Sequence, residues 1–157
     1  MLTEPKFRTE QIECFKDQGF VIFPKAFNAV EAQTIHDWAV ELTEAPEEPD
    51  RHWVYHETSL VDKNLSLINR IENMTPFHAG FRRLAGSLLQ SVGQLLGEEA
   101  VLFKDKINFK MPGGGGFKPH QDSQAGWENY AGYFISVMVS IDPATLKNGC
   151  LQLAPRP

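Results

Sequence analysis

Phe117-Lys118-Pro119-His120-Gln121-Asp122, approached by the glycine run at 113–116 and followed by Trp127, is the stretch on which the reading of this chain turns. In an extended segment side chains alternate faces, so His120 and Asp122, two positions apart, point the same way and can close on one metal ion. A neutral imidazole nitrogen and a carboxylate oxygen suit a borderline divalent ion such as ferrous iron, and a two-histidine, one-carboxylate face leaves three coordination positions open. So short a pattern also fits a surface turn, and only its context separates the two readings.

Upstream, residues 101–111 alternate. Val101, Phe103, Ile107, Phe109 and Met111 are apolar with Asp105 as the exception, while Lys104, Lys106, Asn108 and Lys110 fall on the opposite face. A lysine row of this kind either faces solvent on an antiparallel sheet or, beside a cationic metal, lines a cavity that holds an anionic cosubstrate such as a dicarboxylate. The glycine run lacks the trailing Lys-Ser/Thr of a phosphate loop and reads as a hairpin connection bringing the strand that ends at Met111 beside the one carrying His120. Downstream, Tyr133, Ile135, Val137, Val139 and Ile141 alternate with Phe134, Ser136, Met138, Ser140 and Asp142, and Cys150-Leu151-Gln152-Leu153 begins a further strand. Long antiparallel strands joined by turns indicate a sandwich or barrel.

The first hundred residues have a different texture. Thr9 is placed to cap a short helix with Ile12 and Phe15 on one face, ended by Gly19. Phe20-Val21-Ile22-Phe23, stopped by Pro24, reads as a buried strand. Asn28 and Glu31 have the spacing of a capping box, opening a helix whose apolar stripe is Val30, Ile35, Trp38, Ala39 and Leu42. The acidic, proline-broken stretch 44–50 is a loop, and residues 52–56 have strand character, with His52 and His56 as polar tips. Residues 65–71 fit a strand or a short helix equally well. Thr75-Pro76 reads as a helix start, the apolar period runs from Phe77 through Leu96, and Gly97 ends it, with the effect of Gly86 left open.

At 157 residues the chain is one domain's worth, and 42% hydrophobic with 22% charged residues is an ordinary globular balance. A net charge of −5 with no basic run does not suggest a nucleic-acid surface. Cys14 and Cys150 form no disulfide framework or zinc pattern and read as core thiols in a reducing compartment. No apolar run approaches the roughly 18 residues of a membrane span, and the N-terminus has no apolar leader segment, so a cytoplasmic protein without membrane partners is expected.

Taken together, Gly19-Phe20-Val21, the stretch 104–110, Pro119-His120-Gln121-Asp122 and Asn148-Gly149-Cys150-Leu151 occur in an order that resembles the phytanoyl-CoA dioxygenase family of Fe(II)/2-oxoglutarate oxygenases. The resemblance covers nearly the whole chain. It implies an α+β fold: a mostly antiparallel double-stranded β-helix of the jelly-roll or cupin kind, partial here, with the N-terminal helices packed on the sheet. One domain, 1–157, would comprise a helix-rich part at 1–100 and the first part of the jelly-roll core at 101–157. The resemblance further implies that His120 and Asp122 bind iron, that Asn108 with Lys104 or Lys106 contacts 2-oxoglutarate, that Ser136 and Met138 line the cosubstrate pocket, and that Trp127 lies in a substrate-side loop. The implied reaction consumes O2 and 2-oxoglutarate, releases succinate and carbon dioxide, and hydroxylates a C–H bond of a small-molecule substrate.

The family pattern continues past the Gly-Cys-Leu strand to a distal histidine and a cosubstrate-binding arginine, whereas this sequence reads Ala154-Pro155-Arg156-Pro157 and stops. Three readings follow: a truncated oxygenase; a degenerate, non-catalytic member with at most a weak two-ligand metal site; or a site that borrows His52, His56 or His78. An open sheet edge in such a half-built core would also expose the chain to self-association.

Overall fold

The computed structural model describes residues 2–155, Ser123 by its backbone only; Arg156, at the point where the family pattern departs, lies outside them. The first helix, α1 (Thr9–Gln18), ends as expected at Gly19, whose φ of 81° is left-handed. Its cap is Arg8 rather than Thr9, because the reciprocal contact comes from Gln11, whose Oε1 accepts the Arg8 N–H at 3.0 Å. Beyond it, residues 20–23 form no strand. Their N–H groups donate to no backbone carbonyl among the described residues, and Ile22 is left 70% exposed.

The Asn28 capping box forms as the spacing predicts. Asn28 Oδ1 accepts the N–H groups of Val30 and Glu31 at 2.9 and 3.0 Å, and Glu31 Oε2 accepts that of Asn28 at 2.9 Å, opening α2 (Ala29–Glu44). Ile35, Ala39 and Leu42 are buried, but Val30 is exposed and Glu31 takes its place inside. Glu31 is tolerated there because Oε1 also accepts the Thr3 N–H at 2.6 Å and the Thr3 hydroxyl at 2.7 Å.

A three-stranded antiparallel sheet follows, in the order β1 (Trp53–Thr58), β2 (Ser66–Glu72), β3 (Lys106–Asn108). β2 settles the 65–71 ambiguity in favour of a strand. The last helix, α3 (Ala79–Leu96), starts later than Thr75-Pro76 implies, because His78 Nδ1 accepts the N–H groups of Gly80 and Phe81 and serves as the cap. Phe77 consequently falls before the helix and is exposed. Gly86 does not interrupt the helix, and Gly97 terminates it with φ 77°.

The core forms where α2 and α3 meet the sheet: Ile35, Ala39 and Leu42 pack with Ile71, Met74, Phe81 and Leu84, and Val54, Ile68 and Ile107 extend it along the strands. Gly80 permits the helix contact, since a Cβ there would fall inside the Trp38 indole. Asp105, the one acid in the apolar alternation, accepts the N–H groups of Met74 and Thr75 at 3.1 and 2.6 Å and the Thr75 hydroxyl. The exception to the pattern is therefore a strap that holds the entry to β3 against the turn before α3.

The long strands expected at 101–111, 133–142 and 150–153 are not seen among the described residues, apart from the three of β3. Alternation assigns faces to a segment but supplies no partner, and a ladder needs both. Ile107, Phe109 and Ile141 still pack against the core, while Val101, Val137 and Leu151 are exposed. Cys14 is exposed and Cys150 half-buried, so neither is the core thiol that the sequence suggests.

Candidate active site

The sheet presents two chemically distinct faces. Val54 and Ile71 pair across β1 and β2, Ile71 and Ile107 across β2 and β3, and all three point to the helices. The alternate positions give the other face: Tyr55 opposite Arg70, Arg70 opposite Asn108, and Glu72 opposite Lys106. A cleft of about 300 Å³ lies on this polar side, lined by Arg70, Lys104, Lys106, His120, Asp122 and Trp127 among others.

The segment carrying His120 reaches the cleft through the glycine run. The run does not join two paired strands as a hairpin; it is held against the end of β1. Leu60 N–H donates to the Gly113 carbonyl at 2.8 Å and Gly115 N–H to Glu57 Oε2 at 3.1 Å. Glycine is required for that approach: Gly113 has φ 84°, and a Cβ on it would stand 2.7 Å from Ser59 Oγ.

His120 and Asp122 meet, although neither is in a strand. His120 lies in an irregular segment and Asp122 opens a 3₁₀ turn, Asp122–Ala125. His120 Nε2 stands 3.7 Å from Asp122 Oδ1. His120 Nδ1 is 2.6 Å from the Lys118 carbonyl oxygen, which can only accept, so Nδ1 carries the proton and Nε2 presents its lone pair toward Asp122. Asp122 Oδ2 accepts the Ser136 hydroxyl at 2.5 Å. One imidazole nitrogen and one carboxylate oxygen, each oriented from behind, are suitable donors for a divalent iron ion. Among the described residues no group of three or more His, Cys, Asp or Glu gathers at a single point. The candidate substitute histidines are occupied elsewhere or buried apart: His56 pairs with Glu47 at 3.3 Å, His78 with Glu41 at 3.1 Å, and His52 is buried.

The remaining sequence candidates divide. Lys104 and Lys106 line the cleft, as does Trp127, whose ring packs edge-on against Phe103 and Phe134 and receives the Lys104 ammonium 5.1 Å above it. Asn108 sits beside the cleft with Oδ1 buried and lacking a hydrogen-bond partner. Ser136 acts on Asp122 rather than on the lining, and Met138 is 59% exposed and outside the cleft, because residues 133–142 run without the ladder that would have aimed it inward. Arg70 is the lining residue that sequence reasoning missed. As a single cation inside an apolar run of undecided class, it gains meaning only from a register that sets it opposite Asn108.

Fold and site thus define an α+β protein with a histidine–carboxylate pair in a cleft of mostly positive charge. The phytanoyl-CoA dioxygenase family model matches residues 15–156, and the chain belongs to that family. It is similar to the 2-aminoethylphosphonate dioxygenase of uncultured bacterium HF130_AEPn_1, with 44% identity over 150 residues that make up 94% of this chain and 57% of that protein. Methylphosphonate hydroxylase of Gimesia maris is 34% identical over 92% of this chain and 55% of its own length. Dioxygenase lolE1 of Epichloe uncinata is 32% identical over 96% of this chain and 59% of its own. The chain therefore spans less than three-fifths of each of these curated relatives. No solved structure matches it.

Proposed function

We propose that this chain carries the first two ligands and the anion-binding wall of an Fe(II)/2-oxoglutarate-dependent dioxygenase that hydroxylates a C–H bond of a small molecule. The observation that carries the reading is the 3.7 Å approach of His120 Nε2 to Asp122 Oδ1 in a cleft that also contains Lys104 and Lys106. His120 and Asp122 hold the iron, and a third ligand comes from outside the described residues. When bound, iron supplies the activation of O2 that couples decarboxylation of 2-oxoglutarate, to succinate and carbon dioxide, with hydroxylation.

The chain's own groups prepare that site. The Lys118 carbonyl keeps the imidazole in the tautomer that ligates through Nε2, and Ser136 occupies the second oxygen of Asp122. Lys104, Lys106 and Asn108 neutralise and position the cosubstrate carboxylates, and Trp127 shields the substrate side from water. The single domain completes as a jelly roll over the polar sheet face. No helix among the described residues is long and apolar enough to cross a membrane, and the two free cysteines accord with action in a reducing, cytoplasmic setting. The similarity to a 2-aminoethylphosphonate dioxygenase and a methylphosphonate hydroxylase favours an organophosphonate as the substrate.

Anaerobic Fe(II) titration, followed by assay of 2-oxoglutarate-dependent succinate release with methylphosphonate and 2-aminoethylphosphonate as candidate substrates, tests this. Iron affinity lost in Asp122→Ala is the expected result; iron affinity indifferent to that substitution overturns the assignment. A second reading, a non-catalytic member with a weak two-ligand site, predicts D122A-sensitive iron binding without turnover.

A further inference from the structure

We propose that Lys110 and Phe117 form a cation–π clasp across the glycine run, and that Phe117, held by that clasp, is a positioning residue for His120. The meaning of the clasp for catalysis rests on the oxygenase reading above, but the contact itself does not require a metal. Lys110 Nζ stands 4.0 Å from the centre of the Phe117 ring, and the same ring lies 6.4 Å from the His120 imidazole, tilted by 57°. One aromatic side chain is therefore set between a lysine at the foot of the run and the imidazole at its far end.

The foot is fixed. Phe109 packs against the core and its N–H donates to the Asn69 carbonyl at 2.8 Å, so the chain leaves the sheet immediately before Lys110. Lys110 is exposed and forms no ion pair among the described residues, and its ammonium is spent on the ring. The far end needs support, because consecutive glycines carry the largest backbone entropy of any residue. The run is pinned as far as Gly115, whose N–H reaches Glu57. Beyond it, no hydrogen bond among the described residues joins 116–119 to another element, and a Cβ on Gly116 would meet nothing within 4 Å. Phe117 is 51% exposed, so its two neighbours place it rather than burial in the core.

Charge and positioning predict opposite signs. An ammonium repels a cationic metal, so loss of the Lys110 charge alone would tighten Fe(II) binding. Loss of the clasp frees the imidazole and weakens it. Anaerobic Fe(II) titration of Lys110→Gln is expected to show about two- to fivefold weaker binding, the size of an exposed cation–π contact, with most of the affinity restored in Lys110→Arg. Phe117→Leu, which removes the ring from both neighbours, should weaken binding about tenfold. The double variant should bind no more weakly than Phe117→Leu alone, because the two side chains act as one unit. Tighter or unchanged binding in Lys110→Gln, or additive losses in the double variant, overturns the proposal. Proton NMR of the metal-free chain reads the clasp independently: the Lys110 ε-methylene should be shifted upfield by the ring and revert in Phe117→Leu, and the His120 ring resonances should move in Lys110→Gln but not in Lys110→Arg. An unshifted methylene, or His120 resonances indifferent to Lys110→Gln, also overturns it. A parent chain that binds no Fe(II) yet shows these shifts would defeat the oxygenase reading and leave the clasp standing.

Discussion

Ser136 Oγ donates a 2.5 Å hydrogen bond to Asp122 Oδ2, while Asp122 Oδ1 faces His120 Nε2. The two oxygens of one carboxylate are thereby given separate partners, and the hydroxyl restricts rotation of the group. Ser136→Ala is expected to weaken Fe(II) binding about tenfold, the usual consequence of removing a group that orients a metal ligand. Ser136→Thr, which keeps the hydroxyl, should retain most of the affinity. Ser136 is exposed, so the melting temperature should barely move in either variant. Equal iron affinity in the alanine variant and the parent, by anaerobic titration, would remove the orienting role.

Asp105 ties the entry to β3 to the turn before α3 through two backbone N–H groups and the Thr75 hydroxyl. Hydrogen bonds to a charged group contribute more than neutral ones, and Asp105→Ala leaves the donors of Met74 and Thr75 without their partner. The expected loss is about 2–3 kcal/mol in urea denaturation. Asp105→Asn keeps the geometry and should lose less. A loss below about 0.5 kcal/mol in the alanine variant would show that water replaces the strap.

Gly113 combines a left-handed backbone with an approach that leaves no room for a methyl group beside Ser59. Gly113→Ala is expected to cost about 1–3 kcal/mol through overpacking and backbone strain. It should also lower iron affinity, because the displaced run carries His120. Gly116, where a Cβ meets nothing within 4 Å, supplies the control: Gly116→Ala should leave both quantities near their parent values. Equal effects of the two substitutions would contradict the close contact.

The Asn28 N–H, followed by the Thr3 hydroxyl, holds the Glu31 carboxyl below the ordinary glutamate range. A carboxylate whose folded pKa is depressed adds stability above its unfolded pKa, and that stability is lost as pH falls through the folded value. Unfolding followed between pH 6 and pH 3 should therefore show an acid-side decline that is shallower in Glu31→Gln. The variant should be less stable at neutral pH, where it lacks the charged acceptor, and the two curves should converge toward acid. Parallel curves would exclude Glu31 as a source of the decline.

Local chemistry was legible in the sequence; long-range pairing was not. Asn28 with Glu31, and the terminating Gly19 and Gly97, act within a few residues of themselves, and each does what its spacing predicts. His120 and Asp122 are two positions apart and come together even though the expected strand is replaced by an irregular segment and a 3₁₀ turn. Residues 20–23 and 133–142 carry convincing strand patterns, yet a pattern specifies faces without naming a neighbour, and neither segment forms a ladder among the described residues. Arg70 became visible only through the β2–β3 register. Asp105 had been visible all along as a break in the alternation, but its reason lies about thirty residues away, at Met74 and Thr75.

Glu57 accepts the Asn69 amide on one oxygen at 3.1 Å and the Gly115 N–H on the other, also at 3.1 Å. A single side chain thus links the second strand of the sheet to the arm that carries the imidazole. The consequence is mechanical: a shift of β2 against the helical layer is passed through that carboxylate to a point five residues before His120. Part of the arm's swing is arrested before any ligand arrives, and less ordering remains for a ligand to impose.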